Sequence, residues 1–153
     1  MLSGRLVKMV EDHAEQLTAG LILDLKQNPK TPDYHKLTDA EIYRRVFDVY
    51  HSLGEWLGTE AEHLVQVRYS QLGRERADEG VPLSQVIYAL IRTKTGLFDY
   101  VRRARLFDSA VDLYQFQEFR RLVDNFFDKA IYYTARAYEH EGVSTNTSSA
   151  ATH

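Results

Sequence analysis

Apolar residues recur every three or four positions along most of this chain and almost nowhere alternate, a period that belongs to helices and not to strands. Leu6, Met9, Val10, His13, Leu17 and Leu21 make one stripe. Tyr43, Val46, Phe47, Tyr50 and Leu57 make a second, with Trp56 beside it, and Leu83, Val86, Ile87, Leu90, Leu97 and Val101 make a third. Breakers fall between the stripes: Pro29 and Pro32 sit in a polar run, Pro82 follows Gly80-Val81, and no proline comes after it. Thr38-Asp39-Ala40-Glu41 and Thr59-Glu60-Ala61-Glu62 both have capping-box spacing, in which a hydroxyl and a carboxylate satisfy two orphaned backbone donors. Ser109-Ala110-Val111-Asp112 is a looser form of the same signal. The pattern predicts an all-α chain of about five helices, over residues 2–27, 39–57, 60–77, 82–107 and 110–141. Residues 1–141 read as a single domain, and the Ser/Thr/Asn/Ala-rich stretch 142–153 as a disordered polar tail.

The last helix carries a different pattern. Phe116, Phe119, Val123, Phe126, Ala130, Tyr133 and Ala137 step 3-4-3-4-3-4, the seam of a coiled coil. Phe127, Ile131, Thr134 and Tyr138 form a second stripe beside it. Two stripes are more than one neighbouring helix covers, and at 1.5 Å per residue the helix is roughly 48 Å long. These features predict that one stripe packs inside the chain and that the seven-residue seam joins a second subunit in a homodimer.

Composition narrows the class. A chain of 153 residues that is 44% hydrophobic and 27% charged can bury a core, which excludes a disordered polymer. The absence of cysteine removes disulfides, thiolate catalysis and thiolate metal sites. No apolar run approaches a membrane span, and the N-terminus lacks a signal-peptide layout, so a cytoplasmic protein without membrane insertion is expected. The net charge of −3 hides a division. Residues 66–105 hold eight bases against four acids, whereas residues 1–65 hold seven against eleven and residues 106–153 four against seven. The basic block is scattered over two helices and interrupted by acids, which predicts pairing with the acidic flanks and no nucleic-acid face.

Catalytic and metal chemistry find little to use. Glu60-x-x-His63 has di-iron spacing, but no second Glu-x-x-His occurs and Glu60 belongs to a capping box. His13 and His63 are the histidines a haem would need, and neither position singles out a ligand. His51, in His51-Ser52-Leu53-Gly54, is the candidate phosphoacceptor of a four-helix phosphotransfer bundle, although the lysine that would help neutralise the phosphate is missing. Nucleophile-elbow, phosphate-loop and dinucleotide motifs are absent, so a non-enzymatic protein without metal or cofactor is expected.

The most distinctive segment runs Tyr69-Ser70-Gln71-Leu72-Gly73-Arg74-Glu75-Arg76-Ala77-Asp78-Glu79-Gly80-Val81-Pro82-Leu83. With the later Phe126-Phe127-Asp128-Lys129-Ala130-Ile131-Tyr132-Tyr133, it resembles the N-terminal sensory domain of RsbR-type stressosome co-antagonists. It is similar also to the helical domains that precede bacterial sensor histidine kinases. The resemblance implies a globin-like fold without haem, dimerisation through helices, and a role in bacterial signal transduction. It makes Leu72, Gly73, Arg74, Arg76, Ala77, Gly80 and Pro82 the structural motif, with Gly73 and Gly80 allowing close approach and chain reversal. Arg76, not Arg74, directly precedes Ala77, so neither arginine inherits a ligand role. Only the polar stretch 142–153 follows Glu141 in this sequence, so the expected partner is a signalling protein or an output domain on another chain. The rival readings are phosphotransfer through His51 and a haem or small-ligand carrier with a cavity beside Tyr50, Trp56 and Phe98.

Overall fold

A computed structural model of the chain describes residues 4–104 and 109–151, with side chains as far as residue 141. These residues form seven α-helices and one 3-10 turn, with no strand among them. In chain order they are α1 (Gly4–Asp12), α2 (Ala14–Gln27), the 3-10 turn (Pro32–Lys36), α3 (Asp39–His51), α4 (Leu53–Trp56), α5 (Glu62–Asp78), α6 (Leu83–Arg103) and α7 (Ala110–Ala151).

The count exceeds about five because two expected helices are broken. The first breaks at His13, where neither proline nor glycine is present. In a continuous helix the His13 N–H would donate to the Met9 carbonyl. Instead the imidazole Nδ1 takes that carbonyl at 2.8 Å, and the backbone N–H turns to Val10 O at 3.1 Å. A side chain that competes for its own helix's acceptor ends the helix. The second break, at Ser52, differs, because the Ser52 N–H keeps its helical bond to Asp48 O at 3.0 Å. Asp48 O accepts from the indole Nε1 of Trp56, while its carboxylate accepts from the Ser52 hydroxyl. The turn swings Leu53 fully into the core, and Glu11 of α1 accepts the Gly54 N–H at the start of α4.

Of the two capping boxes, only the first forms. Thr38 Oγ1 accepts from the Glu41 N–H at 3.2 Å, and Glu41 Oε2 accepts from the Thr38 N–H at 3.0 Å. Thr59 and Glu60 lie in a turn, and α5 starts at Glu62 after a buried Ala61 whose N–H reaches Gly58 O. Burying the Ala61 methyl places the helix start two residues beyond the expected one. Ser109 does cap α7, its hydroxyl accepting from the Asp112 N–H. Helix α7 is traced to Ala151, past the expected end at residue 141.

The core is organised around α7. Helix α6 runs antiparallel to it, with Phe98 edge-on to Phe116 and Phe119 and Lys94 paired to Asp124 at 3.3 Å. Helix α5 runs in the same direction as α7: Tyr69 meets Phe126, Gly73 meets Thr134 and Ala137, and the turn after α5 meets Tyr138. Helix α2 lies against α3 and α6 and is tied by Lys26–Asp39 at 2.8 Å and Arg92–Asp24 at 2.6 Å. The buried hydroxyls of Thr18, Thr93 and Thr134 each donate to the carbonyl four residues back, so no polar side chain is stranded among the described residues. No helix among them is long and apolar enough to cross a membrane.

Candidate functional site

The coiled-coil seam faces inward. Phe119, Val123, Phe126, Ala130 and Ala137 are buried within the single chain, and Phe116 and Tyr133 are half-buried against the same core. Phe126 packs against Trp56, Tyr69 and Phe127. In the second stripe Phe127 and Thr134 are also fully enclosed. Neither stripe is therefore open to a second subunit while the bundle is closed, because α5, α6 and α1 together cover both. The large apolar side chains that α7 leaves to solvent lie elsewhere: Val111 (65% exposed), Tyr114 (63%), Leu113 and, further along, Tyr132 (57%).

Segment 72–82 builds the joint between α5 and α7. A Cβ on Gly73 would sit 2.7 Å from both Ala137 Cβ and Thr134 O, so the two helices touch through their backbones there. Helix α5 ends in a Schellman turn. Gly80 takes φ +77, its N–H donates to Ala77 O at 3.0 Å, and the Val81 N–H donates to Arg76 O at 3.1 Å. The Tyr138 hydroxyl donates to Val81 O at 2.8 Å and ties this turn to α7, and burial pushes its pKa up to about 12. Pro82 caps α6 with φ −57 and ψ 136, one residue before the helical position its ring would suit. The two arginines of the segment part company. Arg74 is exposed, while Arg76 is only 7% exposed and its guanidinium reaches Glu79 at 2.8 Å. Leu72 and Ala77 are half-buried beside it.

Arg76 also forms the floor of a cleft of about 350 Å³ between α3 and α5, lined by Glu41, Arg44, Arg45, Arg68, Gln71, Leu72 and Glu75. The acids there are engaged: Glu41 in its capping box, and Glu75 with Gln71 Nε2 at 3.0 Å and Arg76 at 3.9 Å. Glu79, at the edge, is shared between Arg76 and Arg45, the latter at 3.3 Å. Arg44 and Arg68 have no ion-pair partner among the described residues. Arg44 and Arg45 belong to the acidic block of residues 1–65 and Arg68 and Arg76 to the basic one, so the cleft draws its arginines from both.

The histidines are dispersed. His51 ends α3, exposed, with its ring tilted on Phe47 at 4.9 Å. His13 sits at the α1–α2 break with its ring on Tyr100, and His63 is exposed on α5. No group of three or more potential metal ligands gathers among the described residues. Tyr50, Trp56 and Phe98 do not share one ring cluster. Trp56 packs edge-on to Tyr69 and tilted on Phe126, Phe98 edge-on to Phe116 and Phe119, and the Tyr50 hydroxyl donates to Thr93 O. Comparison with known proteins finds no matching family model, no matching curated protein and no matching solved structure.

Proposed function

We propose that this chain is a non-enzymatic, globin-like regulatory domain of bacterial, cytoplasmic signalling, of the kind seen in RsbR-type sensors. It acts as a homodimer and through contact with a signalling partner. The observation that carries the reading is the joint between α5 and α7, where Gly73 allows backbone contact with Thr134 and Ala137 and Tyr138 holds the following turn. Two helices locked at this distance cannot slide separately, so a displacement of α5 is transmitted along α7. The mechanism is a shift between two packings of the bundle, read out at the surface of its longest helix. With the coiled-coil seam occupied internally, the dimer contact is assigned to the outer side of α7, where Tyr114 and Tyr132 are exposed.

Light scattering after size-exclusion chromatography tests this. The chain is expected to run as a dimer at tens of micromolar and, as Tyr114→Glu/Tyr132→Glu, as a folded monomer. A wild-type chain that stays monomeric would remove the dimeric form of the proposal.

A further inference from the structure

We propose that the cleft between α3 and α5 is a binding site for a small soluble polyanion with diphosphate-like chemistry, gripped by Arg44 on one wall and Arg68 on the other. Four guanidinium groups line one concavity. Arg45 and Arg76 are accounted for, since both hold Glu79 and their side chains are largely buried. That arrangement fixes the floor. Arg44 and Arg68 are in no ion pair among the described residues, while Glu41 and Glu75 of the same lining are hydrogen-bonded at the Thr38 cap and at Gln71 and lie beside Arg76. Four guanidinium groups against the carboxylates of Glu41, Glu75 and Glu79 leave the recess net positive, and a recess concentrates that field on whatever enters it. A guanidinium presents a planar fork of donors that matches phosphate oxygens two at a time. Two such forks on opposite walls call for a ligand with two anionic groups. A cleft of about 350 Å³ suits a small metabolite and is too small for a folded partner.

The site also has a route outward. Arg68 is followed by Tyr69, which packs on Trp56 and, across the α5–α7 joint, on Phe126. Trp56 is the chain's single tryptophan, so its fluorescence reports on that contact. The binding site stands on its own, whether or not the regulatory reading holds, and the two fail differently.

Inorganic pyrophosphate is the probe, added to the full chain and followed by calorimetry and by tryptophan fluorescence. Saturable binding is expected, stronger than for orthophosphate and weakened by added salt. Arg44→Gln and Arg68→Gln should each weaken it about tenfold, the size of one lost charge-assisted contact. Neither residue holds an ion pair or side-chain hydrogen bond among the described residues, so the variants are expected to keep wild-type circular dichroism. Arg102→Gln, on the surface of α6, should bind as wild type. Absence of pyrophosphate binding at millimolar concentration, or binding unchanged in both Arg44→Gln and Arg68→Gln, overturns the site. Sedimentation with vesicles containing a phosphatidylinositol phosphate, without binding of free pyrophosphate, overturns the soluble ligand. Binding that leaves Trp56 fluorescence unchanged keeps the site and counts against the regulatory reading.

Discussion

Three tyrosines carry their hydroxyls into places where the loss of water outweighs the nearby arginine charge that would favour a phenolate. Tyr50 and Tyr69 are fully enclosed and Tyr138 is half-buried under the turn at Val81, and burial raises all three pKa values above the ordinary 10.0. A raised pKa means that the folded state holds the proton more tightly than the unfolded chain does. The stabilisation is complete below about pH 10 and is lost as pH rises toward the folded values. Alkaline titration followed by tyrosinate absorbance and circular dichroism should therefore show these groups ionising together with loss of helix. Tyr69→Phe should move that transition to higher pH; an unmoved midpoint would show that Tyr69 does not limit alkaline stability. Tyr50 could be recognised in advance, since it lies on a clear apolar stripe. Tyr69 could not. The buried face of α5 reads Val65, Tyr69, Gly73, Arg76, and a glycine and an arginine interrupt its periodicity. Its apolar character is supplied by the phenylalanines of α7.

At the scale of elements, the glycines divide by what surrounds them. Gly73→Ala drives a methyl into Ala137 and the backbone of Thr134, and overpacking of this kind costs about 1–3 kcal/mol. Gly20→Ala meets nothing within 4 Å, and replacing an unneeded glycine inside a helix stabilises by about 0.5–1 kcal/mol. Urea unfolding of the two variants should give opposite signs; a Gly73→Ala protein as stable as wild type would mean that α5 and α7 can separate without penalty. Helix identity was legible from periodicity, and the start of α3 from its cap. The break at His13 was not, because it arises from a side chain taking a helix carbonyl, nor was the one at Ser52, where the Gly54 N–H is drawn to a carboxylate of α1 distant in sequence. The Thr59 box misled for a related reason: the burial of Ala61 outweighed a surface hydrogen bond.

For the molecule as a whole, the seam of α7 decides what a mutation does. Phe126 is 2% exposed among Trp56, Tyr69 and Phe127, so Phe126→Asp should abolish the fold and not merely a subunit contact. Circular dichroism and light scattering on the same sample check this: a helical, monomeric Phe126→Asp protein would assign the seam to an intersubunit surface after all. That the chain is all-helical with a long last helix could be read from its sequence. Which surface the seam meets could not, because a 3-4 spacing looks the same whether the facing helix belongs to the same chain or to another.

The same-direction packing of α5 and α7 also bears on how the chain reaches its fold. Helices of one direction cannot be neighbours in a tight hairpin, so α6 must be made before α5 finds its main contact. During synthesis, Tyr69 and Val65 emerge without the phenylalanines that cover them and wait until residues 119–137 have left the ribosome. The largest interface in the bundle thus closes late, across a long stretch of intervening chain, a non-local step like those that join α2 to α6 and α1 to α7. The nascent chain passes through a state in which the apolar face of α5 is bare, and that interval is when it is most exposed to aggregation and to chaperones.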